Sequence, residues 1–468
     1  MHSIESYENN IIMAVQERAN FGSKLGVILA SAGSAVGLGN IWRFPCEVGE
    51  NGGAAFILVY LICVVFLGVP VMVSEFLIGR HSRSNTATAY KILAPGTPWH
   101  FVGLMGVFSG FLILSYYIVV CGWTLEYAWT AASNGFSQVG DAMDYTAFFN
   151  NFVSNPWKPL LYLAVFMLIT HYIVVRGVKE GIEKFSKVMM PMLLLIIGVL
   201  VVCSFSMPGS VKGLTFLLKP DFGKIDTGVV LSAMGQAFFS LSLGMGCLCT
   251  YASYFTKEVN LMKTAGSVVV IDTLVAVMSG FIIFPAVFSV PGLIPNAGPG
   301  LVFITLPNVF NIAFGNYPFL GYVFSVMFYV LLILSALTST ISMHEVATAY
   351  IHEKFKMTRA KGAFVVTSVC LSFGVLCSLS FGVLSDMTIA GFTLFDFFDY
   401  VSAKFLMPLG GMLISIFTGW YLDRKMVWEE ITNEGRLRVP MFKFYIFLLK
   451  YVAPLAIGAI FVHELIKA

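Results

Sequence analysis

The sequence predicts an all-α polytopic membrane protein of about eleven transmembrane helices, and two observations carry that expectation. Of the 468 residues, 58% are hydrophobic and only 11% are charged, against roughly a quarter charged in soluble domains. The apolar residues are also gathered into stretches near the ~20 residues that a helix needs to cross a bilayer. In lipid a single segment satisfies its own backbone only as a helix. The spans follow one another so closely that one polytopic unit is expected, although the length alone would suit about three soluble domains.

In chain order the expected spans are 25–45, 54–79, 101–131, 159–175 and 188–205, then 228–255, 264–290, 320–351, 363–379, 393–422 and 444–465. Residues 1–20 are polar and lack an apolar h-region, so a retained tail is expected rather than a cleaved signal peptide. Lys and Arg set the orientation. With the N-terminus in the cytoplasm, 20 of the 28 Lys and Arg residues fall on the inner side. Segment 291–317 carries no charge and falls outside. An odd number of spans then puts the C-terminus outside.

A net charge of +3 gives nothing to hold nucleic acid. The eight cysteines lie mostly in apolar stretches without CxxC spacing, and read as small core residues rather than disulfides or metal ligands. No HExxH or GxSxG motif is present and the seven histidines are scattered, so an enzyme is not expected.

Two spans are interrupted. The first holds Gly33-Ser34-Ala35-Val36-Gly37-Leu38-Gly39-Asn40, and the sixth holds Ser240-Leu241-Ser242-Leu243-Gly244-Met245-Gly246. Close packing through small residues is the bland account. Interruptions five spans apart are instead the sequence pointer to a transporter site between inverted repeats. Half-helix N-termini there offer N–H groups to a carboxylate, and unwound carbonyls offer oxygens to sodium. Asn40, Ser240, Thr338 and Ser339 supply further hard oxygens, although a lone Ser or Thr often bonds its own helix. Four carboxylates need an account because charge at membrane depth is costly. Asp272 and Glu75 lie inside spans, Asp399 opens the tenth, and Glu345 follows His344. Glu75 reads either as a structural carboxylate capping backbone or water or as a direct substrate contact, and the His344-Glu345 pair as structural or water-facing rather than a proton relay.

The run from Gly33 to Asn40, continued by Ile41-Trp42-Arg43-Phe44-Pro45, resembles the first helix of the neurotransmitter:sodium symporter family. Gln236-Ala237-Phe238-Phe239-Ser240-Leu241-Ser242-Leu243-Gly244, Gly298-Pro299-Gly300-Leu301-Val302-Phe303 and Leu337-Thr338-Ser339 extend the likeness, which runs from about Arg18 to Trp420. Short tails and the lack of a large loop after the third helix suit a bacterial member in the inner membrane; eleven spans depart from the commoner twelve.

The resemblance implies a LeuT-type fold, with 21–206 and 207–423 as a 5+5 inverted repeat, helices 1 and 6 unwound, and 424–468 as a cytoplasmic loop and last span. It implies a first sodium held by Ala35, Asn40, Ser240, Asp272 and the substrate carboxylate. A second sodium would be held by Gly33, Val36, Ser335, Thr338 and Ser339. The substrate would meet Ala35, Gly37, Leu38, Gly39, Ile113, Tyr117, Phe239, Ser240, Ser242, Met245 and Met343. Arg43 with Asp399 would form the outer gate, and Arg18 with Glu353 the inner one, near Phe21 and Tyr254. The family usually has an aspartate and a tryptophan where Glu353 and Phe21 stand here.

Three inferences follow from particular residues. Gly37 stands where monoamine carriers of the family place an aspartate, so the substrate is expected to bring its own carboxylate. Asp272 stands for an asparagine and Ala276 for a serine beside the family's chloride site, near Tyr60 and Gln236, so chloride is not expected to be needed. Ile113, Phe239, Met245 and Met343 suggest an apolar, roomy pocket for a bulky neutral amino acid. The expected function is sodium-coupled amino-acid symport by alternating access, with no organic cofactor. A proton-coupled carrier of the same fold and a transport-dead sensor are the alternatives.

Overall fold

The computed structural model describes residues 19–138, 142–290, 300–315 and 317–467. Among these, nine helices are long and apolar enough to cross a membrane, and the bent pair Lys24–Ala35 and Gly39–Glu50 makes a tenth. Taking the interrupted sixth, Thr227–Ser240 with Cys247–Ala252, as one more crossing gives the expected eleven.

Span 1 starts where the Ser23 side chain accepts a hydrogen bond from the Gly26 amide. The helix runs to Ala35, stops at an extended Val36 (φ −66°, ψ 109°), and resumes as a π turn over Gly39–Arg43 before Phe44–Glu50. The two halves meet at 56°. The sequence placed its end at 45; the span instead runs on to Glu50, and Pro45 directly follows the π turn, which the Phe44 amide closes onto the Gly39 carbonyl. Span 6 is capped by Asp226, whose side chain accepts from the Val229 amide. It breaks over six residues at Leu241–Gly246, where Ser242 (φ 53°), Gly244 (φ 83°) and Gly246 (φ 77°) are left-handed.

Spans 3 (His100–Ala132), 4 (Lys158–Val175), 8 (Pro318–Lys354) and 9 (Arg359–Leu379) pack on one another as a block. Span 2 (Ala54–Ser82) packs against both halves of span 6, and span 7 (Leu261–Val287) against both halves of span 1. Span 5 (Val178–Ser204) lies between spans 1 and 8. The last two, Leu394–Tyr421 and Phe442–His463, lie beside each other. The charge-free segment is not all loop: Leu301–Ala313 is helical. A two-strand hairpin, Thr388–Ile389 with Phe392–Thr393, leads into span 10 and is a small departure from an all-α chain. All eight cysteines are free thiols, and seven of them are buried.

Candidate functional site

The first break brings three polar side chains together in the protein interior. Asn40 Nδ2 donates to Ser240 Oγ at 3.0 Å, to Asp272 Oδ1 at 2.8 Å and to the Asp272 carbonyl at 3.2 Å. Ser240 Oγ donates to Asp272 Oδ2 at 2.7 Å. Asn40 Oδ1 accepts from the Gly37 amide at 2.9 Å, so the same side chain ties the unwound backbone to the cluster. Amide, hydroxyl and carboxylate oxygens are the hard donors that sodium takes. Turning the Asn40 amide and rotating the Ser240 hydroxyl would present their oxygens to one point. The carboxylate also gives the cluster a charge opposite to the ion.

A second group of oxygens converges on the other side of the break. Thr338 Oγ1 lies 2.9 Å from the Ser335 carbonyl and 3.4 Å from the Val36 carbonyl. Ser339 Oγ lies 3.2 Å from the Val36 carbonyl and 3.4 Å from that of Ser335. Both hydroxyls therefore share two carbonyl acceptors. Back-bonding within span 8 is present as well, from Thr338 to Leu334 at 3.2 Å, so the local reading and the site reading describe the same hydroxyls. Gly33 faces this group: a Cβ there would lie 3.2 Å from Thr338 Cβ.

Between the clusters is a small cavity of about 40 Å³ of space for water centres, on the order of three waters. Ala35, Gly37, Gly39, Ile113, Tyr117, Phe239, Ser240, Ser242, Met245 and Met343 line it, joined by Ser34, Asn40 and Ser339. Leu38 does not line it; its side chain is buried, and its amide donates to Tyr117 Oη at 3.0 Å. The lining is mostly apolar, as expected, but the space is not roomy. Phe239, Met245 and Met343 form part of its wall, so a bulky side chain enters as they repack, which methionine's flexible chain allows.

The unwound part of span 6 is held by a carboxylate from span 2. Glu75, fully buried, accepts from the Gly244 amide at 2.7 Å and from the Cys249 amide at 3.3 Å. Thr86 Oγ1 donates to the Gly246 carbonyl at 2.9 Å, and Ser242 Oγ donates to the Ser34 carbonyl at 3.1 Å, which ties the two breaks together.

The expected gates are arranged differently. Among the described residues no ion pair within 4.0 Å joins Arg43 to Asp399. The Arg43 guanidinium lies 4.2 Å over the Phe239 ring and 3.9 Å from Glu47, and Asp399 pairs with the Tyr116 hydroxyl. An aromatic face and an i,i+4 carboxylate hold the arginine without Asp399. At the other end Arg18 lies outside the described residues, and the Glu353 carboxylate accepts from the Asn85 amide at 3.0 Å and Asn85 Nδ2 at 2.7 Å. Phe21 packs edge-on against Tyr251 and Tyr254. The Tyr254 hydroxyl donates to Glu345 at 2.6 Å, and Arg359 forks onto both oxygens of that buried carboxylate. Sequence reading missed Arg359. Its signal was a lone arginine at the start of span 9, fourteen residues after a buried glutamate. His344 turns away from Glu345, to Thr367 at 2.9 Å and Thr348 at 2.9 Å, so the two are not a pair.

A model of the sodium:neurotransmitter symporter family matches residues 18–140 and 144–468. A sodium-dependent transporter of Bacillus subtilis, YhdH, is 39% identical over 452 residues, covering 96% of this chain and 98% of that protein. The sodium- and chloride-dependent GABA transporter 2 of Mus musculus is 26% identical, over 96% of this chain and 80% of its own. The crystal structure of MhsT in complex with L-phenylalanine superposes with a TM-score of 0.86 at 42% identity, over 96% of this chain and 100% of that one.

Proposed function

The chain belongs to the sodium:neurotransmitter symporter family and has the LeuT-type fold of MhsT, and on that premise we propose that this sodium-dependent membrane transporter carries a neutral, bulky hydrophobic or aromatic L-amino acid inward by alternating access. The observation that carries the reading is the pair of oxygen clusters flanking the break in span 1, with Tyr117 and the free backbone of that break between them.

One sodium would take Asn40, Ser240, Asp272 and the Ala35 carbonyl, and share the substrate's carboxylate. The second would take Thr338, Ser339 and the Gly33, Val36 and Ser335 carbonyls. The Asp272 charge offsets the first ion in a poorly screened interior, which is why no chloride is required. Gly37 adds no carboxylate of its own, which favours an amino acid over an amine. That MhsT forms a complex with L-phenylalanine supports a bulky apolar substrate here. At 100 mV each sodium contributes roughly 2.3 kcal/mol from the voltage, so two ions would drive concentrative uptake. Arg43 and Asp399 would approach one another as the outer side closes. Arg359, Glu345 and Tyr254, with the Arg18–Glu353 pair, would close the inner side. On this reading 1–20 is a cytoplasmic tail, 21–206 and 207–423 are the two repeats, and the protein resides in a bacterial plasma membrane.

Reconstituted protein, assayed for uptake of labelled tryptophan and leucine under an inward sodium gradient with potassium and choline controls, tests this. Sodium-dependent accumulation that is lost in Asn40→Ala is expected. Accumulation that persists in choline would overturn sodium coupling.

A further inference from the structure

A groove away from the transport site runs along spans 3, 8 and 9 and has two chemically opposite halves. The apolar half is a cavity of about 350 Å³ in which Leu104, Phe108 and Phe111 of span 3 face Val365 and Val369 of span 9. The other half, about 690 Å³, opens at the start of span 3 and is edged by Lys91, His100 and Lys354. Leu104 and Tyr350 line both, so the two spaces adjoin across these side chains.

Charge is distributed in one sense. Lys91 and Lys354 are exposed and form no ion pair with a described residue. No Asp or Glu lines either half. The nearby Glu353 is turned onto Asn85. His100 Nδ1 donates to the Thr97 carbonyl at 3.0 Å, which fixes the ring at the edge of this half. Thr97 itself donates to the Ala94 carbonyl at 2.7 Å, so the turn before span 3 is held in place. From His100 to Phe111 the groove follows eleven residues of helix, roughly 17 Å at 1.5 Å each. That is close to half of the ~30 Å hydrocarbon core, the depth of one leaflet. Phe101 and Phe108, 62% and 51% exposed, stand at its lipid-facing edge.

We propose that this groove is a binding site for one anionic phospholipid, with its phosphate between Lys91, His100 and Lys354 and an acyl chain lying between Phe108 and Val369. Charge complementarity selects the headgroup, and the adjoining apolar half selects a lipid over a free anion. The occupant would bridge the start of span 3 and the end of span 8. Those helices carry Tyr117 and the Thr338–Ser339 pair, so its effect falls on the half of the transporter that supports the site.

Native mass spectrometry of the full chain in detergent, titrated with palmitoyl-oleoyl phosphatidylglycerol or phosphatidylcholine, tests the assignment. The parent is expected to retain one phosphatidylglycerol at concentrations at least tenfold below those needed for phosphatidylcholine. A lysine at an anionic headgroup contributes about fivefold, so Lys91→Gln with Lys354→Gln should weaken phosphatidylglycerol about 25-fold and leave phosphatidylcholine unchanged. Val369→Trp, which fills the apolar half and keeps the charges, should weaken it as well. Both variants should keep the parent's sodium-dependent rise in melting temperature, which shows that they are folded. Equal retention of the two lipids by the parent overturns the proposal, as does a double-lysine variant within threefold of it. A Val369→Trp variant that still binds like the parent reduces the site to an unselective annulus, and overturns it too.

Discussion

Gly37→Ala separates the sodium site from the substrate site because of where the added methyl would sit. A Cβ at this position lies 2.7 Å from Ser339 Oγ and 3.3 Å from Tyr117 Oη. The first distance is too short for contact, so something must shift, and the Ser339 hydroxyl is the group that can rotate. Rotation takes Oγ away from the Val36 and Ser335 carbonyls, 3.2 and 3.4 Å away. The second sodium would lose one ligand. A contact to a charged partner is worth about 1.5–3 kcal/mol, which is roughly a ten- to hundredfold weaker ion. The assay is a sodium titration of melting temperature in potassium-balanced buffer, where the midpoint reports sodium affinity. Gly39→Ala is the control: its Cβ would lie 2.9 Å from Phe239 Cε1, at the aromatic side chain over the substrate pocket, so sodium affinity should hold while substrate affinity falls. Ser339→Ala should weaken sodium by a similar factor, and adding Gly37→Ala to it should cost little more, because the two act through one group. A Gly37→Ala protein whose sodium midpoint stays within twofold of the parent, or fully additive effects in the double variant, would refute the reasoning.

Three further outcomes are expected. Glu75→Ala removes the acceptor of two buried amides in the unwound turn, at Gly244 and Cys249, which should cost roughly 3 kcal/mol or more; Glu75→Gln should be milder, and a Glu75→Ala protein that melts with the parent contradicts this. Replacement of chloride by gluconate should leave the sodium response unchanged because Asp272 supplies the negative charge. The buried Gln236 amide, which has no partner among the described residues, is where an anion would otherwise bind, and a collapse in gluconate would assign it that role. On the face between spans 10 and 11, burial pulls the Glu430 carboxyl up, but a hydrogen bond with His81 and the charge of Arg80 outweigh it and hold the group below the ordinary carboxylate range. A depressed folded value means stability that is complete above the unfolded pKa of about 4.3 and lost as pH falls through the folded value. Amide exchange over Arg424–Thr432, corrected for its intrinsic rate, should therefore quicken below about pH 4.3, and Glu430→Gln should remove that pH dependence; unchanged protection at pH 3 refutes it.

The membrane fold was legible because its physics is one-dimensional: a run of apolar residues has few other uses, and a glycine cluster inside such a run marks a break. Asn40, Ser240 and Asp272 could be named in advance because each is a polar group in an otherwise apolar span, where it requires a partner. Span ends were harder to read. The first span, read as 25–45, runs on past Pro45 to Glu50, because the π turn before the proline already shifts the helical hydrogen bonds. The inner-side contact was missed for a different reason. Arg359 reads like any basic residue at a loop edge, and only the packing of span 9 against span 8 brings its guanidinium to Glu345. Pocket size was misjudged because side-chain identity gives the chemistry of a lining but not how closely opposite walls approach.

The two breaks are satisfied by different kinds of partner, and the difference assigns their roles. In span 6 the freed amides of Gly244 and Cys249 go to both oxygens of one buried carboxylate, and the Gly246 carbonyl goes to Thr86. Those contacts are strong and lie away from the cavity, so this break is a fixed structural element. In span 1 the Val36 carbonyl meets, among the described residues, two hydroxyls, at 3.2 and 3.4 Å, and the Leu38 amide meets a phenol at 3.0 Å. These partners are weak or shared, and each can turn. A carbonyl held by two long hydroxyl contacts keeps the capacity to accept a cation, and a hydroxyl that donates to it can turn its own lone pairs to the same ion. The break in span 1 is therefore the one built to exchange partners, and ion binding there would tighten the junction of spans 1 and 8 while span 6 holds its shape.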